Sequence, residues 1–224
     1  MDLRQYIDHT LLKSTATTDD IVVLCKEARE NNFYAVCVNG CYIPLAKKEL
    51  KGTAIKIVSV IGFPLGATSP ESKIREATIA VYHGADEIDM VMNIGFLKSG
   101  WTEVFSKEIE EVKKAIGETV LKVIIETCYL SDNEIKSACR LVKKAGADFV
   151  KTSTGFGTAG ATESAVQLIV EEVGTTLKIK ASGGIRTEAT ASRYIEMGVS
   201  RIGTSSGVEI VAESNRKHNK GQTY

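Results

Sequence analysis

No run of 18 apolar residues occurs in this chain, and that excludes a hydropathy-defined membrane helix. Met1-Asp2-Leu3-Arg4-Gln5 opens without the apolar stretch of a secretion signal, so a cytoplasmic location is expected. Excess charge of either sign is missing as well: 28 basic side chains face 28 acidic ones. That balance argues against a nucleic acid or a membrane surface as partner. The five cysteines (Cys25, Cys37, Cys41, Cys128, Cys139) are odd in number and form no C-x-x-C pair, which favours reduced thiols over a disulfide framework or a zinc site. Histidine is scarce: three in 224 residues, with His218 in a polar tail and His83 at a helix-like end. A histidine-built metal site is not expected. No linker, low-complexity segment or proline-rich stretch divides the chain, so residues 1–224 are read as one domain. Residues 214–224 are read as a flexible tail.

What is present is a regular alternation. Apolar strand-like runs occur at Tyr6–Leu12, Tyr34–Asn39, Ile55–Ile61, Glu87–Asn93, Leu121–Thr127, Phe149–Ser153, Leu177–Ser182 and Arg201–Ser205. Helical spacing fills the intervals, opened by cap signals such as Thr18-Asp19-Asp20, Ser69-Pro70-Glu71 and Ser131-Asp132. Strands alternating with helices predict a parallel sheet. Eight of them predict a compact α/β fold, a (β/α)8 TIM barrel with a short N-terminal helical extension; such barrels run from about 200 residues upward. The punctuation His83-Gly84-Ala85-Asp86 recurs as Ala145-Gly146-Ala147-Asp148, with a looser echo at Met197-Gly198-Val199-Ser200.

Side chains alternate along a strand with period two. One assignment fits five strands: the apolar set faces the helices, and Cys37, Asn39, Asp89, Asn93, Lys122, Glu126, Lys151, Ser153 and Lys180 face the barrel interior. Such a polar lumen is costly unless its groups pair or do chemistry. Structural ion pairing is one reading. A site is the other, since Lys151, Lys180 and Asp89 share a face and lie toward the strand ends where barrel sites form. Lys122 and Glu126 read first as a supporting pair. The turns Ser182-Gly183-Gly184-Ile185-Arg186 and Gly203-Thr204-Ser205-Ser206-Gly207 come after the seventh and eighth strands and lead into helices. Free N–H groups there suit a phosphate.

A lysine amine adds to an aldehyde or ketone to give an iminium, an electron sink that lets a neighbouring C–C bond break. The attacking amine must be neutral. A hydrophobic wall (Phe149, Val150) and a second cation (Lys180) both favour that state, and Asp89 could shuttle protons. Two other readings stand beside this one: a phosphosugar isomerase, which needs no nucleophilic lysine, and a non-catalytic sugar-phosphate binder.

The stretches Ile7-Asp8-His9-Thr10-Leu11-Leu12-Lys13, Ile61-Gly62-Phe63-Pro64-Leu65-Gly66, Glu87-Ile88-Asp89-Met90-Val91 and Lys122-Val123-Ile124-Ile125-Glu126-Thr127 carry a resemblance. So do Phe149-Val150-Lys151-Thr152-Ser153-Thr154-Gly155-Phe156, Lys180-Ala181-Ser182-Gly183-Gly184-Ile185-Arg186 and Gly203-Thr204-Ser205-Ser206-Gly207. Spanning almost the whole chain in order, they resemble the deoxyribose-phosphate aldolases, a family of class I (Schiff-base) aldolases. The resemblance implies reversible cleavage of 2-deoxy-D-ribose 5-phosphate to D-glyceraldehyde 3-phosphate and acetaldehyde, with a catabolic role in deoxynucleoside breakdown. It implies Lys151 as the Schiff-base lysine, Lys180 as the second lysine and Asp89 as the proton relay. Gly155, Gly183, Gly184, Ser205 and Ser206 match the phosphate pocket, Cys37 an interior thiol near the substrate, and Asp8 a supporting acid. Neither a cofactor nor a metal is implied. Phe156 departs from relatives that carry a phosphate-holding lysine there. Tyr224 matches a C-terminal tyrosine that in some relatives reaches the active site, although its place in the tail reads as an ordinary terminus. A homo-oligomer, dimer or tetramer, is expected because many barrels pair through their outer helices.

Overall fold

The computed structural model describes residues 2–220. A short 3-10 turn at Leu3–Tyr6 precedes β1 (Ile7–Leu11), α1 (Thr18–Asn31), β2 (Ala35–Asn39), α2 (Ile43–Glu49), β3 (Lys56–Ile61) and α3 (Pro70–His83). Then come β4 (Glu87–Val91), α4 (Ile94–Lys98), α5 (Thr102–Ile116), β5 (Val120–Ile124), α6 (Asp132–Lys144) and β6 (Phe149–Lys151). The chain continues through α7 (Glu163–Val173), β7 (Lys178–Ser182), α8 (Glu188–Glu196), β8 (Arg201–Thr204) and α9 (Gly207–Lys220). All strands are parallel, each pairs with the next, and β8 closes on β1. This is the (β/α)8 barrel that the alternation predicts.

Local chemistry sets the boundaries. Reciprocal capping boxes start α1 (Thr17 with Asp20) and α6 (Ser131 with Glu134), and each satisfies two N–H groups a bare helix end would leave open. The Gly-Ala-Asp punctuation has a physical cause. Gly84 and Gly146 take the left-handed conformation after their helices, at φ 106° and 79°. The aspartate two residues later then accepts from the preceding strand: Asp86 from the Ile57 N–H, Asp148 from the Leu121 N–H, both at 2.8 Å. Each tie fixes the start of one strand against its neighbour.

The large core lies between the strands and the helices. Ile21, Leu24, Cys25 and Ala28 of α1 and Phe105, Ile109, Val112 and Ile116 of α5 pack against the outer strand faces, among them Ile88, Met90, Val123 and Val150. Burial of each large apolar side chain contributes about 1.5–3 kcal/mol. A smaller apolar cluster of Leu12, Ala35, Cys37, Val58 and Val60 fills the interior beside β2 and β3.

Two expectations need correction here. The strand at Glu87–Asn93 stops at Val91, because the Asn93 carboxamide turns back to accept from the Phe96 N–H at 3.1 Å and caps α4. Asn93 is therefore a cap and not a lumen residue, and α4 is too short to read from periodicity. The tail expected from residue 214 continues α9 as helix to Lys220. Ile210 and Val211 anchor that helix to the core, and the polar residues after them extend its turns. Tyr224 lies outside the described residues. Among those residues no helix is long and apolar enough to cross a membrane.

Candidate active site

Register assembles the charged interior. Asp89 of β4 is level with Lys122 of β5; Lys151 of β6 is level with Lys180 of β7, which is level with Arg201 of β8. Their inward side chains meet on the axis. Lys151 Nζ and Lys180 Nζ both donate to Asp89 Oδ2, each at 2.8 Å, and Lys122 Nζ donates to Oδ1 at 2.7 Å. Lys122 also pairs with Glu87 at 2.6 Å. Lys180 donates to Asp8 Oδ2, whose other oxygen accepts from Arg201 Nη1 at 2.8 Å. Arg201 reaches Glu87 at 3.4 Å and lies over the Tyr34 ring.

All seven charged residues are buried. Burial alone would neutralise them. Burial is the largest single influence on Asp89 and opposes its charge, but Lys122, Lys151 and Lys180 together hold its carboxyl well below the ordinary range. Asp8 is lowered in the same way against burial, by Lys180, Arg201 and Lys122. Against the same desolvation, Asp8 and Asp89 raise Lys180, and Asp89, Asp8 and Glu87 raise Lys122. Four cations thus face three carboxylates. Lys151 has only one carboxylate partner in this set where Lys122 and Lys180 each have two.

Lys151 ends β6 and opens on a cavity of about 270 Å³ at the C-terminal end of the barrel. Gly155, Gly183, Gly184 and Ser205 line it, and so do the cations Lys13 and Arg186. Among the described residues no carboxylate lines it. Gly183 sits at φ 87°, and a Cβ there would lie 2.8 Å from Gly160 Cα, so only glycine fits. With two cations, open glycines and no described carboxylate on its wall, the cavity suits an anion.

The sequence reading and the structure part company at some positions. Lys122 and Glu126 do not pair with each other. Strand β5 ends at Ile124, Glu126 takes a left-handed turn (φ 53°), and its carboxylate receives Thr154 instead. Ser206 does not line the cavity. Its N–H donates to Thr204 Oγ1 at 2.9 Å. Val150 faces the helices, and Phe149 borders Lys122 and Arg201 rather than Lys151. Asn39 donates to the Leu12 carbonyl. Cys37 is buried in the inner apolar cluster, where burial pushes its thiol up. Glu87 and Arg201 escaped the sequence reading as members of the charged set. Glu87 had a signal, standing two residues before Asp89 on the same strand face. Lys13 and Arg186 lay inside recognised motifs, but nothing in their spacing placed them at the cavity.

A closed parallel barrel with a lysine at the mouth of an anion-friendly cavity defines the class as a barrel lyase. The chain belongs to the DeoC/LacD family of aldolases, whose model matches residues 3–212. It is 53% identical over 219 residues to the deoxyribose-phosphate aldolase of Thermoanaerobacter sp. strain X514, covering 96% of this chain and 98% of that one. The deoxyribose-phosphate aldolase of Aciduliprofundum boonei is 56% identical over 212 residues, 94% of this chain and 96% of the relative. The tetrameric deoxyribose phosphate aldolase of Aeropyrum pernix superposes with a TM-score of 0.87 at 32% identity, over 95% of this chain and 91% of that one.

Proposed function

We propose that this chain reversibly cleaves 2-deoxy-D-ribose 5-phosphate to D-glyceraldehyde 3-phosphate and acetaldehyde through an imine on Lys151. The observation that carries this reading is one hydrogen-bonded unit. Lys151 opens on the cavity, and its amine shares Asp89 Oδ2 with Lys180. Neutral Lys151 Nζ adds to the C1 aldehyde of the open-chain sugar, and loss of water leaves the iminium. The C3 hydroxyl then gives up its proton, the C2–C3 bond breaks, and its electron pair flows into the iminium to form the enamine. Glyceraldehyde 3-phosphate leaves. Protonation at C2 and addition of water release acetaldehyde and restore the amine.

Asp89 accepts from both amines and is the proposed relay for these protons. Because its carboxyl is held so far toward ionisation, it serves as a transit point and not as a proton store. Lys180, bonded to both Asp8 and Asp89, is the fixed second cation beside Lys151. Gly155, Gly183, Gly184 and Ser205, with Lys13 and Arg186 at the same cavity, are the proposed phosphate binders. The tetrameric relative supports a homo-oligomer, which light scattering would test.

The direct test is borohydride trapping with deoxyribose 5-phosphate, with the adduct then located by peptide mass spectrometry. A reduced adduct on Lys151 is expected. An adduct on Lys180 would exchange the two lysine roles. Folded protein that binds the sugar phosphate without any adduct would sink the mechanism. Lys151→Arg keeps a cation there but removes the amine that can become a neutral nucleophile, and should abolish both the adduct and turnover.

A further inference from the structure

Glu126 is built in a way its neighbours do not require. Of the described residues other than glycine, only Asn32 and Glu126 have positive φ, both 53°. Asn32 ends α1, where asparagine adopts this conformation readily. Glu126 is buried, and a glutamate held in this left-handed conformation is strained.

The strain has an identifiable product. The Ile125 N–H donates to the Lys151 carbonyl and the Thr127 N–H to the Thr152 carbonyl, both at 3.0 Å. Two steps along one chain thus match one step along the other. Glu126 is the extra residue, as in a β-bulge, and a bulge re-aims a side chain. Here it sends the carboxylate across to the loop after the Lys151 strand. The Thr154 N–H donates to Oε1 and Oε2 at 3.1 and 3.3 Å, and the Thr154 hydroxyl donates to Oε2. Thr154 Oγ1 in turn accepts from the Phe156 N–H at 3.0 Å. Gly157 closes on the same group: a Cβ there would lie 3.3 Å from Glu126 Cδ and 2.7 Å from Cys128 Sγ. One carboxylate therefore fixes the whole turn, and that turn presents Thr154, Gly155 and Phe156 to the cavity.

We infer that Glu126 is a positioning residue: its ionised carboxylate holds the loop at residues 154–157 in the shape that binds the sugar phosphate, without taking part in bond cleavage at Lys151. The inference rests on the phosphosugar reading of the cavity. The surroundings set its titration. The groups facing Glu126 are Lys151 from β6, Cys128 from the turn after β5 and Thr154. Burial is the strongest influence and raises its carboxyl above the usual range, against the Thr154 hydrogen bonds and the Lys151 charge. Protonation removes the charge and turns one acceptor oxygen into a hydroxyl donor, so the Thr154 bonds weaken and the loop loosens as pH falls through this raised value.

The test separates binding from chemistry. Glu126→Gln should raise KM for deoxyribose 5-phosphate about tenfold, with a smaller fall in kcat, as expected for loss of a charged hydrogen-bond acceptor. Borohydride trapping of acetaldehyde on Lys151, which needs no phosphate loop, should fall less than about twofold. In wild type KM should rise toward acid pH, and the Gln variant should lack that limb. Substrate phosphate titrates equally in both, so the difference belongs to Glu126. Thr154→Val should copy the KM effect, the double variant should add nothing further, and Thr154→Ser should retain wild-type KM. Equal losses of trapping and of binding, or additive effects in the double variant, would overturn the inference. Absence of any Lys151 adduct in wild type would instead overturn the aldolase mechanism itself.

Discussion

Lys73 of α3 and Glu108 of α5 form an ion pair 2.8 Å apart with no side-chain exposure. The barrel interior buries seven charged side chains in much the same isolation from water. The two sites respond to burial in opposite ways. In the isolated pair burial wins, lowering Lys73 and raising Glu108, so each is pushed toward its neutral form. In the barrel the added partners win. Asp8 and Asp89 are lowered and Lys122 and Lys180 are raised. One counterion does not offset the desolvation of an ion, whereas two or three at hydrogen-bond distance do.

Breaking the network at its centre should have the largest effect. Asp89→Asn leaves three lysines around a neutral amide. It should lower kcat/KM by roughly a thousandfold or more and destabilise the fold by about 3–5 kcal/mol, read from steady-state kinetics and urea unfolding. Retention of activity would refute the relay. The isolated pair should behave differently. Lys73→Met should cost about 3 kcal/mol in urea with kcat unchanged, and adding Glu108→Leu should recover that loss or exceed it. If the apolar double variant stays as unstable as the single one, the pair stabilises the fold more than its protonation behaviour implies.

Smaller effects sharpen the contrast between paired and unpaired cations. Lys13, which lines the cavity outside the network, should affect only phosphate recognition. Lys13→Ala should raise KM several-fold, about 1 kcal/mol, for the phosphorylated sugar and leave unphosphorylated 2-deoxyribose unaffected. Equal losses with both sugars would rule out a phosphate role.

The smallest effect lies in pH. Asp8 and Asp89 start from an ordinary value of 3.8 and are lowered. Their contribution is present above about pH 4 and is lost only as pH falls well below it. Glu108 starts from 4.5 and is raised. Its contribution is full below that value and is lost as pH rises through the raised one. Glu108→Gln should therefore flatten the decline in unfolding free energy expected of wild type as pH rises above 4.5. An unchanged slope would place the decline elsewhere.

Much of this contrast was legible in the chain. Period-two alternation put Lys151, Lys180 and Asp89 on one face, and register then brought them to a single oxygen. Lys122 was legible as an interior residue but not its partners, because parity fixes a side chain's direction and not its reach. The misreading of Glu126 has a similar origin: alternation assumes a regular strand, and the bulge interrupts it two residues after β5 ends. Lys73 and Glu108 left no trace at all. They lie on helices far apart in sequence, with surface-like compositions, and only the packing of α3 on α5 buries them.

By itself, the sequence determined the features that local periodicity and local hydrogen bonding dictate: eight strands in alternation with helices, the starts of the longer helices, and the axis-facing side of the five strands whose pattern alternates cleanly. These depend on backbone geometry within a few residues. Tertiary structure alone decided which buried charges share a counterion and which stand in isolated pairs. It also decided how the glutamate after β5 turns to hold the loop of β6. Those outcomes depend on distances between residues remote in the chain, and on a desolvation cost that exists only once the barrel has closed around them.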